Sequence, residues 1–435
     1  MVNPNVFCNT PWYEAHIYWD GSLGICCQES RKLHSDDNKY NIRNISLAEW
    51  FNSEPVRKFR KNILGNDRLD ICSRCYKETE VGGTSRRHRS NQKSVIFTKQ
   101  AFDESFQQSP GYDHFMFSQG MDGFTNTFPI DLHIDLGNYC NLACKMCWSG
   151  ASSSIAVQNV KWGLDDHRQY LGTDWTRDEV VWNRFLNELL IIPKLKNIHF
   201  MGGETLLTKK FEDLVDFFTL HKRFDLCFSF VTNGTTYNQQ LIDKLKKFTR
   251  VGIEVSIETA TEHNNYIRQG TDTNVVLANI KHYRDNCDDS SISVTIRPAI
   301  SLLSIGKYYT LLEYCLENKL LIKSLLVTKP RFLDVSILPK EIKKQYLSNY
   351  QLLLNNLTDI SLNADYNESD VNNYRQSIKI QIEQSINLLN QSEPDDQEKL
   401  LAEMVEHCRK WDPIYKYNAL ELYPELTGIF KTYGY

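Results

Sequence analysis

From about residue 129 to residue 330, short runs rich in β-branched and aromatic residues alternate with amphipathic stretches. The runs Asp131–Leu136, Asn197–Met201, Leu226–Thr232, Gly252–Ile257, Ser291–Arg297 and Ser324–Thr328 predict strands. Helical spacing over Lys209–His221, Gln239–Phe248, Thr273–Asn286 and Gly306–Asn318 predicts helices between the later strands. Beyond Pro330 the chain turns polar. There Val371, Tyr374, Ile378, Ile382, Ile386 and Leu389 keep helical spacing, although Ile378, Ile380 and Ile382 alternate locally like a strand. Ser392-Glu-Pro-Asp-Asp-Gln reads as a break followed by a new helix start.

Regular alternation of strand and helix implies a parallel sheet with right-handed crossovers. The expected fold is therefore α/β, a partial (β/α)6 TIM-like barrel over residues 129–330. In such folds chemistry collects on loops leaving the carboxyl ends of the strands. The unusual residues fall there. Cys140, Cys144 and Cys147 follow the first strand, and Gly202-Gly203-Glu204 follows the second. Thr232-Asn233-Gly234 ends the third, Ser256 and Glu258 the fourth, and Arg297 the fifth.

Charge and composition narrow the classes. The 50 Lys and Arg against 54 Asp and Glu give a net charge of -4, so the whole chain is not a polyanion binder. No apolar run reaches membrane length, and Met1-Val-Asn-Pro-Asn carries no apolar leader core. The 12 cysteines then point to metal ligation in a reducing compartment, hence a cytoplasmic protein.

Three thiolates in Cys140-Asn-Leu-Ala-Cys144-Lys-Met-Cys147 are too few to close a four-iron cubane. One iron would stay open to a ligand bearing an amino group and a carboxylate. A structural zinc site wants four closed ligands, and His167 is the nearest downstream candidate for a fourth. This C-x3-C-x2-C spacing resembles the cluster motif of the radical S-adenosylmethionine (SAM) superfamily. Met201-Gly-Gly-Glu204 resembles that family's GGE motif, which contacts the methionyl amino group. Glycine there lets backbone approach a ligand, whereas the plain alternative is a tight turn into a helix. Ser256-Ile-Glu258 resembles the ribose-contacting pair, and Tyr266-Ile-Arg268-Gln-Gly270 the loop that follows it. Arg268 or Arg297 would pair with the methionyl carboxylate through a bidentate fork. Met146 stands where many members carry an aromatic residue beside the adenine. With Asn233 at the rim, these are the SAM contacts that the resemblance implies.

A second group of cysteines precedes the barrel: Cys8, Cys26, Cys27, Cys72 and Cys75. Cys8, then Gly21 four residues before Cys26, then Cys72-Ser-Arg-Cys75, resembles the front of a SPASM domain, in its shortened twitch form. The resemblance assigns Cys8, Cys26, Cys72 and Cys75 to a fully ligated auxiliary [4Fe-4S] cluster. Cys27 is the alternative to Cys26, and a zinc ribbon would use the same four thiolates. Alternation through His16–Trp19 before Asp20-Gly21 predicts a β-hairpin. In the family this module usually follows the barrel. The expected organisation is thus a twitch-like domain over 1–90, a linker or lid over 91–128, the barrel over 129–330, and a helical extension over 331–435.

The resemblance implies an enzyme that takes an electron from an external flavodoxin- or ferredoxin-like reductant and cleaves SAM to a 5′-deoxyadenosyl radical. That radical abstracts hydrogen from an unreactive C–H bond of a peptide or small molecule. The auxiliary cluster would accept an electron in a net oxidation. The rivals are a modifier of RNA or protein docked by Arg86-Arg87-His88-Arg89, a non-catalytic iron–sulfur or SAM-binding protein, and a zinc-stapled binding module. The basic run reads more readily as a solvated face or a brace between domains.

Overall fold

A computed structural model describes the chain except residues 1, 2, 4, 30–31, 34–37, 81, 84, 92–117, 119, 126–127, 193, 288–290 and 361–367. Most of the segment expected as a linker or lid lies outside the described residues. Its flanks do not stand apart: Ser118 Oγ accepts from Trp12 Nε1 at 2.6 Å, and the Thr125 amide donates to Asn52 Oδ1 at 2.9 Å.

In chain order the strands are β1 (Glu14–Ile17), β2 (Leu23–Gly24), β3 (Asp131–Asp135), β4 (Ala143–Cys144), β5 (Asn197–Met201) and β6 (Cys227–Thr232). They continue with β7 (Arg250–Val255), β8 (Arg268–Gln269), β9 (Ile292–Ile296), β10 (Ala299–Ile300), β11 (Leu321–Ile322) and β12 (Leu325–Leu326). Among the described residues one sheet holds eight strands in the order β11-β9-β7-β6-β5-β3-β1-β2. All neighbours are parallel except β1 and β2, which form the expected hairpin. The six strands from β3 to β11 are the partial barrel. Its last strand sits earlier than the sequence predicts: Leu321–Ile322 pairs with β9, while Leu325–Leu326 pairs with β10 in a separate two-stranded sheet.

The helices pack where periodicity puts them. Asp178 caps Glu179–Ile191 by accepting from the Val180 and Val181 amides, turning Trp182, Phe185 and Leu189 inward. The helix Lys209–Leu220 buries Phe211, Leu214, Val215 and Phe218. Phe211 meets Phe200 and Phe230, with ring centroids at 4.9 and 5.1 Å, so these strand residues face the helical layer. Alternation then sends His199 and Ser229 to the inner face, where His199 Nδ1 and Ser229 Oγ lie 2.7 Å apart. The barrel interior is thus polar.

The cysteine-rich N-terminal segment supplies an edge strand of this sheet, with Glu14–Ile17 in register against Asp131–Ile134. It also crosses the inner face. Arg86, on the helix Arg86–Asn91, is bonded to both Glu14 and His133, while Arg89 of the same helix lies by Arg297 after β9. Lys77, on the helix Ser73–Glu80, reaches Asp334 at 2.6 Å. The basic run is therefore a brace. Arg86 pairs with Glu14 of β1 beside His133 of β3, and Arg89 pairs with Glu78, because a charge this deep requires a partner.

The C-terminal segment is helical, over Lys340–Ile360, Glu368–Leu389 and Gln397–Tyr415. Helical spacing outweighs the local alternation at Ile378 and Ile382, both fully buried. No helix among the described residues is long and apolar enough to cross a membrane.

Candidate metal centres

The cysteine loop leaves the carboxyl end of β3 and is held by backbone contacts on three sides. Asn138 Nδ2 donates to the carbonyls of Ser149 at 2.9 Å and Tyr170 at 2.7 Å, and Ser152 Oγ donates to the Leu142 carbonyl at 2.7 Å. Within the loop β4 pairs antiparallel with β8, so Cys144 lies opposite Arg268. Asn233 Nδ2, at the end of β6, donates to Asn141 Oδ1 at 2.8 Å. The loop is therefore fixed to the ends of three strands.

Its thiols sit in a charge-tuned site. Burial pushes the Cys140 thiol up to about 12. A hydrogen bond from Cys147 and the nearby Arg268 guanidinium hold Cys144 below the ordinary thiol value, while the same hydrogen bond raises Cys147. Arg268 Nη1 lies 3.7 Å from Cys144 Sγ. Met146 packs against Cys140, Leu142 and Cys144, beside the cysteines as its place in the motif implies.

The GGE turn is packed tightly under the cysteine loop. Gly202 and Gly203 have φ of +80° and +59°. A Cβ on Gly203 would stand 2.4 Å from the Tyr139 carbonyl oxygen, and one on Gly202 would stand 2.7 Å from Asp135 Cβ. The missing side chains make room for the cysteine loop itself. Glu204 is 1% exposed and accepts from Thr232 Oγ1 and the Asn233 amide, both at 2.6 Å. Burial raises its pKa, and these bonds partly offset the rise.

The expected ribose and carboxylate contacts are also engaged within the protein. Glu258, fully buried, takes both nitrogens of the Arg268 fork at 2.5 and 2.7 Å and the Ala299 amide at 3.2 Å. Arg297 pairs with Glu254 at 2.9 Å. Arg268 and Arg297 thus each carry a glutamate as counter-charge. Ser256 is buried at the end of β7, its amide donating to the Thr232 carbonyl at 2.8 Å.

The N-terminal thiols gather from three segments. Cys8 donates to Thr10 Oγ1 at 3.1 Å. Cys72 and Cys75 flank the start of the helix Ser73–Glu80, and Cys26 follows the hairpin. Burial, then the neighbouring Cys8, pushes Cys75 up to about 11 and raises Cys72 as well. Cys26 is raised by burial, by Glu29 and by the neighbouring thiols Cys27 and Cys75. The expected Cys8, Cys26, Cys72 and Cys75 thus share one neighbourhood. Cys27, which also interacts with Cys26 and Cys75, has a second group of donors beside it. Glu14, Cys27 and His133 bring three donor atoms within 4.8 Å of one another, the one such trio of His, Cys, Asp or Glu among the described residues. Arg86 already bridges Glu14 and His133 there.

Comparison with known proteins agrees with this architecture. Residues 134–301 match the Radical SAM superfamily, and residues 8–76 match SPASM, the iron–sulfur cluster-binding domain. The chain is thus similar to the radical SAM superfamily over its barrel, with a match to the SPASM module ahead of it. The second of these matches is to an iron–sulfur cluster-binding domain. Among solved structures, anSMEcpe with bound AdoMet and a Cp18Cys peptide is similar at 17% identity, covering 53% of this chain and 61% of that one, with a TM-score of 0.38. Streptococcus suis SuiB bound to S-adenosylmethionine is similar at 16% identity, covering 68% and 61%, with a TM-score of 0.34. This chain thus spans about three fifths of the length of those structures. Among curated proteins none matches it.

Sequence reasoning missed Asn138, Lys145 and Asp412. Lys145 lies inside the cysteine motif, but its partner Asp412 is 267 residues away and carries no local signal.

Proposed function

We propose that Cys140, Cys144 and Cys147 hold the [4Fe-4S] cluster that binds SAM, and that Cys8, Cys26, Cys72 and Cys75 hold the auxiliary cluster. The observation that carries this reading is the cysteine loop itself: two buried thiols and a half-buried third on one loop at the carboxyl rim, with Arg268 against one sulfur. Electron delivery to bound SAM supplies a 5′-deoxyadenosyl radical, the group that removes hydrogen from substrate.

The protein's own residues position and enclose. Asn138, Ser152 and Asn233 fix the loop's backbone, and Arg268 compensates thiolate charge while anchored by Glu258. Glu204 braces the end of β6 beneath the ligand site. In this reading Gly202, Gly203, Asn233, Ser256 and Met146 line the SAM site through the groups they leave toward the rim. Arg268 serves it through the cluster rather than through the methionyl carboxylate.

The auxiliary site has four cysteines and no open iron, so its proposed role is to accept an electron from the substrate radical. The proposed reaction is a net oxidation or cross-linking of a peptide or small molecule, fed by an external one-electron reductant. Arg86 and Arg89 are paired with Glu14 and Glu78, which weighs against the basic run as a docking site for RNA.

The test is anaerobic reconstitution with iron and sulfide counting, on the wild type and on a Cys140/Cys144/Cys147 triple Ala variant. Two clusters give about eight iron per chain, falling to about four in the variant. With dithionite and SAM, wild type alone should form 5′-deoxyadenosine. Zinc in place of iron, or clusters without SAM cleavage, would sink the proposal.

A further inference from the structure

The helix Gln397–Tyr415 comes from the far end of the sequence and packs on the cysteine loop. Trp411 is buried with Ala143 and Ile155, with Cys147 and Tyr415 against them. Lys145 stands between Cys144 and Cys147, its side chain fully buried. The ammonium lies 3.4 Å from Asp412 Oδ1, 4.2 Å from the centre of the Tyr266 ring and 6.0 Å from that of Trp411. Asp412 is held in turn. Its Oδ2 accepts from the Ala419 amide at 2.9 Å and from the Tyr435 hydroxyl at 2.5 Å. The His407 ring, one helical turn earlier, is hydrogen-bonded to the Lys145 backbone.

Two rings and one carboxylate confine Lys145 inside the motif. A buried ammonium without a partner is costly, and only Asp412 approaches Lys145 as an ion-pair partner among the described contacts. We infer that Asp412 is a positioning residue for the SAM-binding cluster: through Lys145 it fixes a neutral ion pair inside the cysteine loop. The C-terminal helix is then part of the cluster site, not a peripheral extension. Because net charge and hydrogen bonding around a cluster set its reduction potential, the pair also tunes the ease with which the cluster is reduced. The inference rests on the assignment of Cys140, Cys144 and Cys147 as ligands.

The experiment is an anaerobic redox titration of the reconstituted full chain, followed on the EPR signal that SAM perturbs. It compares wild type, Asp412→Asn, Lys145→Met and the double variant. Asp412→Asn leaves the cation uncompensated and should move the midpoint potential upward. Lys145→Met leaves the carboxylate uncompensated and should move it downward, and the double variant should return toward wild type. Where a single variant fails to load its cluster, the double variant should regain the iron. Equal potentials, shifts of one sign, or a double variant loading no better than the singles would overturn the inference. A wild type without any SAM-perturbed signal would instead overturn the ligand assignment.

Discussion

Arg268 grips Glu258 with two nitrogens, at 2.5 and 2.7 Å, and turns a third toward Cys144 Sγ at 3.7 Å. Both residues are buried, so the pair links the end of one barrel strand to the cysteine loop through charge that has left water. Breaking such a pair from one side is expensive, whereas replacing both members by apolar groups is often tolerated. Arg268→Met should cost about 3–5 kcal/mol by denaturant titration. Arg268→Met with Glu258→Leu should recover much of that loss. Arg268→Lys keeps the charge but loses the planar fork, and should fall between them.

Gly203 gives a sharper steric test. Its φ of +59° and the 2.4 Å approach of the Tyr139 carbonyl leave no room for a methyl group. Gly203→Ala should destabilise the chain by about 2 kcal/mol or more and lower iron loading at the cysteine loop. Gly428→Ala is the control: nothing lies within 4 Å of its would-be Cβ, and the residue is helical. Stability there should be unchanged or raised by up to about 1 kcal/mol, as measured in the same titration.

Cys72 separates the two proposed clusters. Cys72→Ala should bring the iron content down by about half, as loss of one [4Fe-4S] cluster requires. Formation of 5′-deoxyadenosine from SAM should persist, while oxidised product disappears. Undiminished product from that variant would remove the electron-acceptor role.

His199 should shape stability against pH. Burial holds its pKa at about 4, below the ordinary 6.5. The unfolded chain therefore takes up a proton at a higher pH than the folded one. Stability from this residue is complete above about pH 6.5 and is lost as pH falls toward 4. Between about pH 7 and about pH 5 the loss is roughly 2 kcal/mol. His199→Gln should flatten that part of the profile in a pH series of thermal melts, and an unchanged slope would show that His199 is protonated when folded.

The sequence by itself determined the strands and helices of the barrel, because periodicity is a local property of the chain. Strand ends then placed Cys140, Cys144 and Cys147, Gly202, Ser256 and Arg297 on one rim. The hairpin before Cys26 was legible for the same reason. Only the tertiary structure decided who pairs with whom. Glu258 and Arg268 look like ligand contacts in the sequence, yet burial makes each the other's counter-charge. Glycines that seem to clear space for a ligand clear it for Tyr139 and Asp135. The N-terminal segment reads as a separate module, but β1 lies against β3 because the unpaired edge of a parallel sheet offers backbone partners. Asp412 meets Lys145 for a reason no local pattern encodes: a buried ammonium selects its carboxylate by proximity in space, not along the chain.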